Sequence, residues 1–213
     1  MLNLPNCITL VRLLMVVVFT VALSVGDVSA NSLHADACSE ASFFWFAQPV
    51  SVAACIALWA FVIGAVSDFF DGYLARKYNL VTNMGKLLDP LADKILVCAA
   101  FVYLSSVGIC PFWITIIIIF REFFVTGLRQ LAALQGCAMA ADKSGKWKTG
   151  LQLGFCLAGL FPLAYAGQAP QPLRFLSVGE GGVWCRAVFL WGSLILTLWS
   201  GGLYLFRSRH LLR

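Results

Sequence analysis

Long apolar runs, separated by short polar segments, make up most of this chain. Six stretches combine roughly 20 apolar residues with few charges, which is what a helix needs to cross a hydrocarbon core about 30 Å thick. These stretches are 8–26, 43–67, 87–107, 111–134, 149–166 and 184–206. The pattern predicts an all-α polytopic membrane protein with six transmembrane helices, folded as a single domain over residues 1–213.

The composition narrows the classes of protein that fit. Of the 213 residues, 61% are hydrophobic and 12% are charged, whereas soluble domains carry roughly 25% charged residues, so a water-soluble globule is excluded. The net charge of +5 comes from basic residues between the apolar runs, which form no stripe of the kind that binds nucleic acid. The eight cysteines show no CxxC spacing and are interpreted as apolar filling rather than as a metal site.

The distribution of Lys and Arg predicts the orientation in the membrane. Segments 27–42 and 105–110 contain no basic residue, whereas 76–86, 135–148 and 207–213 contain three each. Because cytoplasmic connections are enriched in Lys and Arg, both termini are predicted to be cytoplasmic. Aromatic residues near the ends of the spans fit the interfacial belts of membrane proteins: Trp45, Trp113, Trp184 and Tyr204.

The first apolar stretch permits another interpretation. Residues 13–25 precede Val28, Ser29 and Ala30, which resemble the small-residue cleavage site of a secretory signal peptide. A leading region with Arg12 as its one basic residue is weak for a signal, and cleavage would leave five spans with unbalanced ends. The six-span interpretation is therefore preferred.

Four aspartates crowd into the 26 positions where the second span runs into the third. Asp68 and Asp71 are three apart, and Asp89 and Asp93 are four apart, so each pair shares a face of a helix. Two packed helices could aim all four carboxylates at one point, where they would repel each other unless a cation lay between them. Mg²⁺ or Mn²⁺ suits such oxygen ligands, so the pattern predicts a divalent metal site. The alternative is that they are solvated ends or caps, with Asp89 as the N-cap before Pro90.

Small residues and one cation accompany these acids. Gly72, Ala75 and Gly85 stand where bulky side chains would fill the space between the two carboxylate faces, so we expect a large molecule to pass there. Small residues in spans also serve helix packing, which is the alternative. Arg76 supplies a fixed positive charge suited to a phosphate or pyrophosphate oxygen, or serves only as a topology charge.

These residues together form a known signature. The pattern D-x2-D-G-x2-A-R-x8-G-x3-D-x3-D is met in full over residues 68–93, and through it the chain resembles the CDP-alcohol phosphatidyltransferases. The resemblance implies a six-span integral membrane enzyme that moves a phosphatidyl group from a CDP-lipid to an alcohol and releases CMP. The number of spans predicted from the apolar runs agrees with it.

Other stretches narrow the resemblance to one subfamily. Residues 3–12, 85–94, 121–129 and 140–149 are similar to the bacterial phosphatidylglycerophosphate synthases, which transfer from CDP-diacylglycerol to glycerol 3-phosphate, and less like serine or inositol transferases. The resemblance implies a multi-pass protein of the bacterial inner membrane with its active site on the cytoplasmic side. Relatives of this fold commonly pair, so a homodimer is also an expectation.

The resemblance also implies roles for the motif residues. Asp68, Asp71 and Asp89 would hold two divalent ions, with Asp93 as a further ligand at the same centre and as general base. A glycerol hydroxyl is a poor nucleophile near neutral pH, so a carboxylate must accept its proton as it attacks. The cytidine and its phosphates would lie along five positions: Asp68, Gly72, Ala75, Arg76 and Gly85.

The phosphate of the acceptor should need an anion pocket of its own. Arg121 and Arg129 lie eight residues apart on one face of the fourth span, with Thr126 beside them. Lys146 and Lys148, just before the fifth span, are further candidates. The alternatives are an internal ion pair between Arg121 and its neighbour, and topology charges for the two lysines.

Two other functions fit parts of the pattern. The same chemistry could use another alcohol, namely serine, inositol or phosphatidylglycerol. A small cation transporter could use the four aspartates as an ion path, but Arg76 beside them argues against it because a cation path gains nothing from a guanidinium.

Overall fold

Helices account for nearly all of the chain that can be described. The computed structural model describes residues 4–34, 52–78, 83–134, 143–165 and 180–207. Within these ranges there are six helices and no strand: α1 (Leu4–His34), α2 (Val52–Tyr78), α3 (Asn83–Ser106), α4 (Phe112–Leu134), α5 (Lys143–Tyr165) and α6 (Glu180–Arg207). The prediction of an all-α fold is confirmed for these residues.

Several helices extend beyond the apolar runs that predicted them. Helix α1 continues to His34, through the segment expected to be an outer connection, and α2 continues past Ser67 to Tyr78. Helix α5 begins at Lys143, so the expectation that 143–148 belongs to a connection was wrong. An apolar run marks only the part of a helix that lipid or core can cover, whereas the backbone hydrogen bonds continue into polar residues.

A tight turn joins α3 to α4. Gly108 has φ of +77°, the left-handed conformation that favours glycine. Its N–H donates to the carbonyl of Ser105 at 3.1 Å, and the N–H of Ile109 donates to the carbonyl of Leu104 at 2.9 Å. This is the Schellman pattern of helix termination. It reverses the chain over a few residues, so α3 and α4 lie side by side.

The core is built from aromatic rings at helix crossings. Phe19 of α1 lies against Phe61 of α2 with ring centroids 6.0 Å apart, and Phe101 of α3 stacks on Phe155 of α5 at 5.1 Å. All four rings are buried. Since α1 packs on α2 and α3, and α5 packs on α2, α3 and α6, these two ring pairs lie near the centre of the bundle.

The surface of the bundle is apolar and its interior holds polar groups. Trp191, Ile195 and Trp199 of α6 are exposed, whereas Glu122 and Lys148 are buried. This distribution suits a protein whose outer faces contact lipid. Among the described residues, Gly181–Tyr204 alone is long and apolar enough to cross a membrane by itself. The number of crossings stays a prediction.

Tyr204 does not fit the role predicted for it. Trp113 and Trp184 are exposed, as residues of an interfacial belt should be, but Tyr204 is only 5% exposed. The interpretation of Tyr204 as a belt residue was wrong, because its position near the end of a span does not show which side of the helix it occupies. Its polar tip contacts a residue of α4 instead.

Glycines allow close approach at three crossings. A Cβ added to Gly64 would lie 2.6 Å from Leu96 Cδ2, and one added to Gly159 would lie 2.8 Å from Leu104 Cδ1. At Gly154 three atoms of the Phe189 ring would lie between 2.8 and 3.2 Å from the added Cβ. Small residues at these places bring helices together where apolar burial from water does not drive association.

Gly154→Ala tests this packing, with Gly150→Ala as the matched control on the same helix. The added methyl at position 154 would displace the ring of Phe189, so we expect a loss of about 1–3 kcal/mol in the free energy of unfolding. A Cβ at Gly150 meets nothing within 4 Å, and alanine favours the helix by up to about 1 kcal/mol. In mild detergent, the midpoint of thermal unfolding should be lowered by Gly154→Ala and not by Gly150→Ala. Equal midpoints for both variants would contradict the close approach.

Candidate active site

The aspartate motif is divided between two helices that pack against each other. Asp68 to Arg76 lie on the last turns of α2, and Gly85 to Asp93 lie on the first turns of α3. The backbone at these positions is helical, so the spacings of three and four residues are helical spacings. The side chains lie outside the described part of the chain: Asp68, Asp71, Gly72, Ala75, Arg76, Gly85, Asp89 and Asp93.

Asp89 is not the N-cap of a helix, so the capping alternative for it was wrong. Helix α3 begins at Asn83, so Asp89 lies well inside it and cannot be its N-cap. Among the described residues there is no group of three or more His, Cys, Asp or Glu side chains that could hold a metal. The described part of the bundle therefore offers no competing metal site.

A second polar centre surrounds Glu122 of α4. One oxygen of its carboxylate, Oε1, accepts hydrogen bonds from Lys148 Nζ and, at 3.3 Å, from Gln152 Nε2, both on α5. Nη1 of Arg121 lies 3.5 Å from the same oxygen. Glu122 is 7% exposed and Lys148 is 4% exposed. A carboxylate buried this far needs such partners, because an isolated charge in an apolar interior is very unfavourable.

Both arginines of α4 are held by α6. Nη2 of Arg121 donates to Ser200 Oγ at 2.6 Å. Nη2 of Arg129 donates to the Tyr204 hydroxyl, and its Cζ lies 4.8 Å from the centroid of the same ring. Ser200 and Tyr204 are four residues apart, and the arginines are eight apart, so one face of α4 meets one face of α6.

The remaining predicted acceptor residues have different surroundings. The hydroxyl of Thr126 donates to the backbone carbonyl of Glu122 at 2.7 Å, so its proton is used within α4. The side chain of Lys146 lies outside the described residues. Arg121 has both the ion pair that was the alternative to phosphate binding and a hydrogen bond to Ser200.

Lys94 connects this centre with the aspartate motif. It follows Asp93 directly on α3 and interacts electrostatically with Glu122, Arg121 and Arg129. Lys148 also interacts electrostatically with Lys94. We call these four basic side chains around Glu122 the cationic cluster. Among the described side chains, these four positive charges exceed the one negative charge of Glu122 by three, in an environment that suits an anionic ligand.

The contacts of three polar residues with Glu122 and the two arginines were not predicted from the sequence. Gln152, Ser200 and Tyr204 are buried polar residues in apolar helices, and all three contact a charged residue of α4. The helical register contained a signal, since Lys148 and Gln152, like Ser200 and Tyr204, are four residues apart. Nothing in the sequence shows which helix they face.

The pairing of Glu122 with Lys148 can be tested by a double-mutant cycle. Glu122→Gln leaves two buried cations without their shared anion, so we expect a loss of up to about 3–5 kcal/mol in the free energy of unfolding. Adding Lys148→Met removes one of those cations and should recover about 0.5–3 kcal/mol of that loss. Arg186→Met on α6 is the control, because Arg186 makes none of the contacts above. The free energy of unfolding is measured in detergent for each single and double variant. Arg186→Met should simply add its own effect to that of Glu122→Gln. If Lys148→Met did the same, with no recovery, the pairing would be disproved.

Comparison with known proteins identifies the family. The family model for the CDP-alcohol phosphatidyltransferases matches residues 2–199. The CDP-diacylglycerol–glycerol-3-phosphate 3-phosphatidyltransferase of Bacillus subtilis is 42% identical over 162 residues, covering 72% of this chain and 74% of its own. The enzyme of the same name from Rickettsia felis is 32% identical over 206 residues, covering 95% and 93%.

A third relative gives the same result. The probable phosphatidylglycerophosphate synthase of Mycobacterium tuberculosis is 35% identical over 207 residues, covering 97% of this chain and 81% of its own. The resemblance found in the aspartate motif is confirmed. This chain therefore belongs to the CDP-alcohol phosphatidyltransferase family.

Proposed function

We propose that this protein transfers the phosphatidyl group of CDP-diacylglycerol to glycerol 3-phosphate and releases CMP, a step of phospholipid biosynthesis. The observation that carries the proposal is the complete aspartate motif on α2 and α3, in a chain that aligns over 95% of its length with a relative named for this reaction. The cationic cluster beside the motif supports an acceptor that carries a phosphate.

The four aspartates fit a divalent metal centre. Two lie three apart at the end of α2 and two lie four apart at the start of α3, on helices that pack together. Their hard oxygen donors suit Mg²⁺ or Mn²⁺, and enzymes of this family generally depend on a divalent metal. We assign Asp68, Asp71, Asp89 and Asp93 as ligands of two ions. When bound, the ions supply positive charge that offsets the negative charge of the pyrophosphate and of departing CMP.

Asp93 is the proposed general base. Its carboxylate accepts the proton of the glycerol hydroxyl while that oxygen forms a bond to the β-phosphorus of the CDP-lipid. The bond from this phosphorus to the bridging oxygen breaks, and the electron pair leaves with CMP. Asp93 suits the role because the next residue of α3, Lys94, belongs to the cationic cluster where the acceptor phosphate would bind.

The donor nucleotide lies along the motif in this proposal. Gly72, Ala75 and Gly85 leave the helix backbone accessible to the nucleotide, and Arg76 pairs with a phosphate oxygen. Asp68 contributes to the same surface as well as to the metal centre. These positions fall at the junction of α2 and α3, next to the ligands that the pyrophosphate must reach.

The acceptor phosphate binds at the cationic cluster. Arg121, Arg129 and Lys148 are the central ligands, with Lys146 as a further contact. Thr126 would join them only if its hydroxyl turned away from the carbonyl of Glu122. Glu122 neutralises only one of the four basic charges among the described residues of the cluster, so positive charge remains for a phosphate dianion. The ion pair of Arg121 and phosphate binding are therefore compatible. Ionisable residues inside a membrane bundle usually serve such a function.

The location follows from the same features. The exposed apolar faces of the bundle support the bilayer as the surroundings of this protein. We propose six spans in a bacterial inner membrane, with both termini and the active site on the cytoplasmic side where the basic connections lie. A single domain over 1–213 and a homodimer remain parts of this proposal.

A panel of acceptors tests the function. Detergent-solubilised protein with CDP-diacylglycerol and Mg²⁺ should release CMP with glycerol 3-phosphate, and not with serine, inositol or phosphatidylglycerol. Glycerol is the matched control, because it has the hydroxyls but not the phosphate. A pocket built for that phosphate should disfavour glycerol by at least about 10²-fold in kcat/KM. Release with another alcohol would reassign the acceptor, and release with none would exclude the enzyme class.

Asp93→Asn separates the base from the metal centre. Asparagine cannot accept the proton, so turnover should fall by about 10²–10⁴-fold or more. Three carboxylate ligands remain, so Mn²⁺ binding measured by electron paramagnetic resonance should be largely retained. Asp27→Asn, outside the motif, is the control for both measurements. Near-normal turnover of Asp93→Asn would remove Asp93 from this role.

A further inference from the structure

The two arginines of the cationic cluster are held by residues beyond the segment that matches the family. The family match ends at residue 199. Beyond it, Ser200 and Gly201 lie against Arg121, and Tyr204 contacts Arg129. We call these three residues the arginine-holding face of α6. They lie outside the aspartate motif, which assigns them no role.

We propose that the arginine-holding face sets the positions of Arg121 and Arg129 for the acceptor phosphate. Ser200, Gly201 and Tyr204 are then positioning residues, since they act through the arginines and do not touch the substrate. The inference rests on the proposed function, because it concerns the acceptor pocket described there.

Arg121 is held from two sides, and one of its donors is buried without a partner among the described residues. Its Nη2 donates to Ser200 Oγ at 2.6 Å, and its Nη1 lies 3.5 Å from the Glu122 carboxylate. Its Nε is buried and has no hydrogen-bond partner among the described residues. Because a guanidinium is a rigid fork, fixing its two Nη atoms also fixes the direction of the Nε–H. A buried donor without a partner is unfavourable, and an anion bound at this edge would satisfy it.

Gly201 leaves the room that this geometry needs. A Cβ at position 201 would lie 3.3 Å from Arg121 Cγ and 3.6 Å from its Nε. The stem of Arg121 would have to move while its tip is held by Ser200 and Glu122. The adjacent Gly202 has nothing within 4 Å of an added Cβ. Gly201 is buried against Arg121, whereas its neighbour Gly202 is exposed and has no such contact, so Gly202 is the control for the same substitution one residue along α6.

Tyr204 holds Arg129 in a different way. The Arg129 side chain is exposed, but Tyr204 beneath it is buried and presents both its ring and its hydroxyl. A long arginine side chain loses much rotamer freedom when it binds a ligand. Because Tyr204 already restricts the Arg129 side chain, that side chain loses less conformational entropy when the acceptor phosphate binds. Preorganisation of this kind raises affinity.

A comparison within α6 argues against simple packing. Ser193 is as buried as Ser200, but its hydroxyl donates at 2.8 Å to the carbonyl of Leu190 in the same helix. The hydroxyl of Ser200 instead contacts Arg121 of another helix. Ser193 shows that a buried hydroxyl of α6 can be satisfied within its own helix, without any contact to α4.

The experiment measures KM for each substrate, with CMP release by the full chain in detergent as the readout. Gly201→Ala and Tyr204→Phe should each raise KM for glycerol 3-phosphate about 3- to 10-fold, the effect of one net hydrogen bond. KM for CDP-diacylglycerol and kcat should stay within about 2-fold by the same reasoning. The controls Gly202→Ala and Ser193→Ala should leave all three values unchanged.

Coupling to the arginine distinguishes positioning from general damage. Arg129→Ala alone should raise KM for glycerol 3-phosphate more than Tyr204→Phe does, and in that background Tyr204→Phe should add less than about 2-fold. Thermal unfolding midpoints identify any variant that fails to fold, and Ser200→Ala then replaces Gly201→Ala as the test at Arg121.

Each outcome separates this inference from the proposed function. If Arg129→Ala raises KM for both substrates equally, Arg129 is not in the acceptor pocket and both proposals for it are overturned. If Arg129→Ala is selective but Gly201→Ala, Ser200→Ala and Tyr204→Phe match their controls, the pocket stands and the positioning role is overturned. Selective effects at all of these positions support both.

Discussion

The carboxylate of Glu122 connects three helices inside a bundle whose outer faces are apolar. It accepts hydrogen bonds from Lys148 and Gln152 of α5, and it pairs with Arg121, whose other edge is bonded to Ser200 of α6. Each of these charges would be very unfavourable alone in such surroundings. The arrangement of α4, α5 and α6 therefore depends on their being satisfied together. An apolar core of similar volume would hold the helices as well, so helix packing alone does not explain why basic groups outnumber acidic ones among the described residues of this centre.

Apolar packing among the other helices holds this polar centre in place. Helices α1, α2, α3 and α5 meet through buried aromatic pairs such as Phe101 and Phe155, and through glycines such as Gly64 that admit a neighbouring side chain. This packing leaves little freedom for α3 to move relative to α5. Lys94 of the cationic cluster directly follows Asp93 on α3, so a rigid bundle keeps the aspartate motif close to the cluster.

The sequence predicted the features that depend on local spacing. The apolar runs located the helices, and the intervals between aspartates were those of a helix that the backbone then adopts. Features that depend on which side of a helix meets which neighbour could not be predicted. Tyr204 was assigned to a lipid belt and is buried against Arg129, and Lys148 was assigned to a connection and lies inside α5. A single sequence contains the register of each helix but not the rotation of one helix about another.

The aspartate motif lies on α2 and α3, whereas three of the four residues of the cationic cluster lie on α4 and α5. This separation bears on how the acceptor alcohol is chosen. Phosphatidyl transfer requires the same donor, leaving group and proton acceptor whichever alcohol attacks, so the motif on α2 and α3 cannot by itself distinguish acceptors. Discrimination must come from groups that contact the part of the acceptor away from the reacting hydroxyl. In the proposed assignment those groups stand on α4 and α5, and α6 contacts both arginines among them. A chain could keep Arg121 and Arg129 and still direct them elsewhere if the residues of α6 that contact them were different. In this proposal α6 supplies no reacting group, yet changes in α6 are well placed to alter which alcohol is used.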